Sequence, residues 1–121
     1  MSSRITLRLM AELSDEAAAR HFEDTVQARI AVFGSIKQSE TKRYWKIPEW
    51  FEVNFSLQPS DDPELVYDGI LSSLGEGWER HDISNEVQWA VWNPNDGNRF
   101  FSSSVRWANV ERFPESAVIS P

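Results

Sequence analysis

The chain has 121 residues, 40% of them hydrophobic, with 19 acidic against 12 basic side chains, a formal net charge of −7 and no cysteine. That length suits one domain with a core that needs no disulfide or structural zinc, and the absence of cysteine removes thiolate metal sites and thiol nucleophiles, so the cytoplasm is the expected compartment. The acidic balance argues against direct binding to nucleic acid or to an anionic membrane; no run approaches the roughly 18 apolar residues of a membrane span, and Met1-Ser2-Ser3-Arg4 lacks the apolar stretch of a signal peptide.

In chain order, residues 4–10 alternate Ile5, Leu7 and Leu9 with Arg4, Thr6 and Arg8, which predicts a half-buried strand. A helix follows, with Ser14 as its N-cap and Asp15 and Glu16 in the first turn, where the helix dipole favours anions. Ala18, Phe22, Val26 and Ile30 form its apolar stripe, and Gly34 is its stop. Residues 35–42 are polar and read as a connection into a second strand over 42–47, which Pro48 ends. Phe51, Val53, Phe55 and Leu57 then alternate with Trp50, Glu52, Asn54 and Ser56, a third strand.

Asp62 and Pro63 open a second helix, the proline at a first position where its missing N–H is not needed. Its stripe is Val66, Tyr67, Ile70, Leu71 and Leu74, it ends at Gly75 or Gly77, and the internal Gly69 suggests close packing. Three more strands are predicted over 78–83, 87–93 and 100–112, the last interrupted by Ser102-Ser103-Ser104, and Asp96-Gly97 marks a hairpin in the loop 93–98. The expected fold is α+β, with two helices on one face of a mostly antiparallel sheet. The element order is that of a ferredoxin-like β-α-β-β-α-β core with an added C-terminal hairpin, in a single domain with a loose tail from Pro114 to Pro121.

Catalytic and metal chemistry find little support in these residues, and the expectation is a protein that is not an enzyme and carries no cofactor. His21 and His81 are sixty residues apart and neither has a second ligand at metal-site spacing. Glu79 and His81 share one face of a strand and could exchange a proton, but a solvated strand face is the favoured account of them. The serines at 102–104 lack a nucleophile elbow, and Gly75-Glu76-Gly77 would repel an anion through its glutamate.

Charge and aromatic residues stand out instead. Residues 1–60 sum to zero, whereas Asp61, Asp62, Glu64, Asp68, Glu76, Glu79, Asp82 and Glu86 face only Arg80 and carry the whole −7. Gathered on one surface, they would speed the approach of a basic partner and set its specificity. The six tryptophans exceed what one sheet face can bury. Trp89 reads as core together with Val87 and Val91, which turns Trp92 outward; Trp50 opposes Phe51 and Val53, and Tyr44 opposes Trp45. Exposed Trp and Tyr are the residues of binding hot spots.

An acidic, cysteine-free, Trp-rich α/β chain with Trp89-Ala90-Val91-Trp92-Asn93-Pro94 and Val105-Arg106-Trp107-Ala108 resembles the immunity proteins of bacterial polymorphic and contact-dependent growth inhibition toxin systems. The resemblance implies a cytosolic antidote that binds a basic toxin domain, often a nuclease, and blocks its active site or substrate groove. On this reading Asp61, Asp62, Glu64, Asp68, Glu76, Glu79 and Asp82 meet toxin cations, while Trp50 or Trp92 anchors the contact. A small-molecule-binding domain or small enzyme with a pocket between sheet and helices, lined by Trp, Tyr44, Glu79 and His81, is the first alternative. A homo-oligomeric structural subunit is the second, and the antidote itself is a monomer or a homodimer.

Overall fold

Residues 3–84, 86–95 and 97–114 are described by a computed structural model. The alternation predicted near the N-terminus forms β1 (Ser3–Glu12), with Ile5, Leu7, Leu9 and Ala11 fully buried on one face. It is followed by α1 (Glu16–Ile30), a 3-10 turn over Ala31–Phe33, β2 (Gly34–Arg43), β3 (Trp50–Pro59) and α2 (Pro63–Leu74). Five short or terminal strands complete the chain: β4 (Gly75–Glu76), β5 (Glu79–Asp82), β6 (Gln88–Trp92), β7 (Arg99–Phe100) and β8 (Val105–Pro114).

Six strands form one antiparallel sheet in the order β2-β3-β1-β8-β6-β5, and β4 and β7 pair as a small second sheet. Both helices lay their stripes on the face that carries Ile5, Leu7, Leu9, Val53, Phe55, Leu57, Ala108 and Val110, so there is a single core. The opposite face of the sheet has no helix on it and carries Thr6, Arg8, Asn54, Asn109, Trp107, Trp89 and His81 by register.

The α+β class and the antiparallel sheet agree with the sequence, but the strand order departs from the ferredoxin-like expectation. β8, the last strand, pairs with β1, while β5 lies at the sheet edge. The extra strands are therefore inserted before the final strand rather than appended as a hairpin. Length explains the choice: β8 spans ten residues and pairs with β1 from Ser3 to Ala11, whereas four-residue β5 carries a charged or imidazole side chain at every position. The Asn-Asp-Gly loop is followed by β7, which pairs with β4 and not with β6; Gly97 has φ +86, and Asp96 is outside the described residues.

Three local readings shift. The N-cap of α1 is Asp15, whose Oδ1 accepts the Ala18 N–H at 2.8 Å, one residue later than Ser14. Asp62 and Pro63 do open α2, although the Asp62 side chain makes no capping bond. The polar stretch 34–43 is a full edge strand, because an edge exposed to solvent needs no apolar alternation; the Ser39 and Thr41 hydroxyls donate to the Glu23 carboxylate of α1. The tail expected from Pro114 starts at the end of β8, and its remainder lies outside the described residues.

The orientation of β6 is the opposite of the expected one. Gln88, Ala90 and Trp92 face the helices, with Trp92 only 3% exposed, and Trp89 and Val91 face the open side. Ala90 pairs with Val110 and Trp92 with Ala108, so small and large residues interlock. Trp92 closes the core against Phe100, at a centroid separation of 4.8 Å, and its Nε1–H donates to the Glu76 carbonyl at 2.9 Å. Gln88 is tolerated inside because its Oε1 accepts from Arg112 Nε at 2.7 Å.

Candidate interaction surface

The carboxylates of residues 61–86 separate into groups. Asp61 and Asp62 precede α2 and Glu64 lies in its first turn; all three are exposed and form no ion pair with a described cation. Leu65 beside them is 65% exposed, and Val32, on the 3-10 turn that contacts α2, is 75% exposed. The segments are tied where the Ser60 N–H and hydroxyl both donate to the Phe33 carbonyl at 3.1 Å. This corner thus combines acidic and apolar side chains.

Asp68 and Asp82 form a second group that shares the single Arg80 guanidinium, at 2.8 and 3.2 Å, and so keeps a net charge of −1. Burial works against the Arg80 charge, but the Asp68 hydrogen bond and the two carboxylates outweigh it and hold the guanidinium above its ordinary range. The same guanidinium lies 5.1 Å from the ring of buried Tyr67. Glu79 is on the opposite face of β5, where it lies 3.5 Å from His81 Nε2, and the His81 ring stacks on Trp89 at 4.2 Å. Glu76 is exposed on β4, and Glu86 is exposed before β6. The eight acids do not form one field, because strand alternation sends Glu79 and Asp82 to different faces and Arg80 takes two of them.

The aromatic anchors also move. Trp92, expected to point outward as a contact residue, is a core residue at the end of β6 and is closed to a partner. Trp50 is half-buried on the open face, stacked on Tyr44 at 6.4 Å. The exposed tryptophan is Trp45, at 80%. It lies in the loop between β2 and β3: the strand expected over 42–47 is absent, because β2 already ends at Arg43, and this places Trp45 outside the ladder.

That loop is held from several sides. The Tyr44 N–H donates to the Trp50 carbonyl and the Trp50 N–H to the Ile47 carbonyl, both at 2.9 Å. Arg43 Nη1 donates to the Pro48 carbonyl at 2.8 Å, with its guanidinium 4.7 Å from the Phe51 ring. Lys46 Nζ stands 5.1 Å from the centre of the Trp45 ring.

A depression of about 900 Å3 lies on the open sheet face and includes Thr6, Arg8, Asn54, Ser56, Asn109 and Glu111 in its lining. Arg8 Nε donates to Glu52 at 2.7 Å, an internal pair that spends its charge locally. This depression lies on the open sheet face and not between the sheet and the helices. Tyr44 is at the β2 side of the sheet and the Glu79–His81 pair at the β5 side, so they do not converge. Ser102, Ser103 and Ser104 lie just before β8 with no base beside them among the described hydrogen bonds, and His21 is exposed on α1. No group of three His, Cys, Asp or Glu among the described residues could hold a metal ion, and no described helix is long and apolar enough to cross a membrane.

No protein-family model, curated protein or solved structure matches the chain.

Proposed function

We propose that this chain is an immunity protein, an inhibitor that binds a basic toxin domain, such as a nuclease, and blocks it by occupation rather than by chemistry. The observation that carries the reading is the α2 corner, where Asp61, Asp62 and Glu64 remain without a described cationic partner around exposed Leu65 and near Val32. A nuclease needs cations to hold phosphates, and a corner that offers carboxylates around an apolar centre matches the anatomy of a protein interface. Nuclease–immunity pairs reach the upper limit of non-covalent affinity, which shows that complementarity alone suffices for such inhibition. The antidote reading places the protein in the cytoplasm with its toxin.

The test is co-expression and binding with the toxin domain encoded beside this gene. Replacing Asp61, Asp62 and Glu64 by Asn, Asn and Gln should slow association by about tenfold or more at low salt and have little effect at high salt, because steering of exposed charges is screened within about 10 Å. Association that is equally fast for both proteins at low salt would remove the acidic corner from the mechanism.

A further inference from the structure

An indole exposed to 80% is costly in water, and a flexible loop could fold it back onto the sheet. The loop 44–49 does the reverse. Two backbone hydrogen bonds, the Arg43 contact to Pro48 and the Tyr44–Trp50 stack hold its frame, and Trp45 still projects. A side chain presented in advance by a rigid loop loses little entropy on binding, which is the property of an anchor. Lys46 lies over the same ring, so any pocket that swallows the indole also takes the ammonium close to its mouth.

We infer that Trp45 and Lys46 form a plug for a pocket on the toxin domain that is apolar at its base and lined with carboxylates at its rim. The inference rests on the toxin-binding reading above and adds a second contact to it. The rim must be acidic because a desolvated ammonium requires a carboxylate partner, and Lys42 and Arg43 flank the plug with the same sign. An anionic membrane fits less well: Asp15, Glu16 and Glu49 are exposed near the same end of the sheet, since the Leu13 N–H donates to the Glu49 carbonyl there. The loop and the α2 corner stand at opposite ends of the β2–β3 ladder, roughly 30 Å apart at about 3.3 Å per residue. That is several screening lengths, so the two contacts act independently.

The experiment measures binding of the toxin domain encoded beside this gene to the wild type and to Trp45→Ala, Lys46→Glu and Lys46→Arg, with thermal unfolding as a folding control. Trp45→Ala and Lys46→Glu should each raise Kd by about tenfold or more, chiefly through faster dissociation, while Lys46→Arg stays within about threefold. Unfolding of Trp45→Ala should match the wild type, since the side chain is outside the core. If the wild type binds and Trp45→Ala binds equally well, the plug is overturned and the toxin reading stands. If only Lys46→Glu is silent, the acidic rim is overturned. A wild type that does not bind the toxin domain removes both. Cosedimentation with phosphatidylcholine–phosphatidylserine vesicles that Trp45→Ala abolishes, with toxin affinity unchanged, would reassign the loop to a membrane and overturn the plug.

Discussion

At the scale of single residues, Tyr67 is the least satisfied member of the core. It is fully buried, and its hydroxyl has no hydrogen-bond partner among the described residues. A buried hydroxyl without a partner is destabilising by about 1–3 kcal/mol relative to one that is bonded. Tyr67→Phe keeps the ring under the Arg80 guanidinium and removes only the unpaired group, so chemical denaturation should find it as stable as the wild type or more stable by about 1 kcal/mol. A loss of that size instead would show that the hydroxyl is bonded in solution. Burial, reinforced by the Asp82 carboxylate, pushes the phenol above its ordinary range. The folded state then holds a proton that the unfolded chain releases above about pH 10, so this contribution is complete below that pH and is lost as pH rises further. The stability of Tyr67→Phe should accordingly fall less steeply in alkali than that of the wild type.

Among the elements, α2 shows how one glycine sets a distance. A Cβ on Gly69 would stand 2.6 Å from Phe33 Cε1, so the helix rests on that ring only because the side chain is absent. Gly69→Ala gains about 1 kcal/mol of helix propensity but forces the half-buried ring aside, and the variant should be less stable by about 1–2 kcal/mol. In a Phe33→Leu background the same substitution should become stabilising; an unchanged sign would mean that the ring is not the obstacle. Gly69 was legible in the sequence as a close approach, as were β1, β3 and the limits of α2, because each rests on local pattern or turn chemistry. The facing of β6 was not. Val87, Trp89 and Val91 look like a buried set, yet Gln88, Ala90 and Trp92 are inside, because Arg112 across the ladder supplies a partner for Gln88 and Ala90 sits opposite Val110 in the core. Those conditions come from strands and helices distant in sequence. The same holds for the acidic stretch: the count of charges was readable, and Arg80 and Asp82 share a face of one strand, but the reach of Arg80 to Asp68 depends on α2 lying beside β5. Trp45 passed unnoticed because exposure follows from the loop closing behind it.

Across the whole molecule, the sheet must expose one face and two edges for binding without pairing with other sheets. The β5 edge is short, and its Glu-Arg-His-Asp sequence places a charged or titratable group at each position. The β2 edge is ten residues long, with its outer side open, and is the greater hazard. Two features blunt it. The register shifts between Ile36 and Gln38, so Lys37 bulges out of the ladder and interrupts the row of free backbone groups. Lys42, farther along, pairs among the described residues only with exposed Glu40, at 3.4 Å, and keeps an ammonium on the edge. An incoming strand would have to desolvate both ammonium groups, and an identical strand would bring the same charges against them. Replacing Lys37 by Val and Lys42 by Thr removes this protection while changing no core contact. The double variant should retain wild-type thermal unfolding at low concentration, yet its sedimentation coefficient should climb with concentration more steeply than that of the wild type, and its amides in β2 should become protected from hydrogen exchange as it does so. Equal sedimentation at every concentration would mean that the bulge alone keeps the edge from pairing, and a further deletion of residue 37 would then be required to open it.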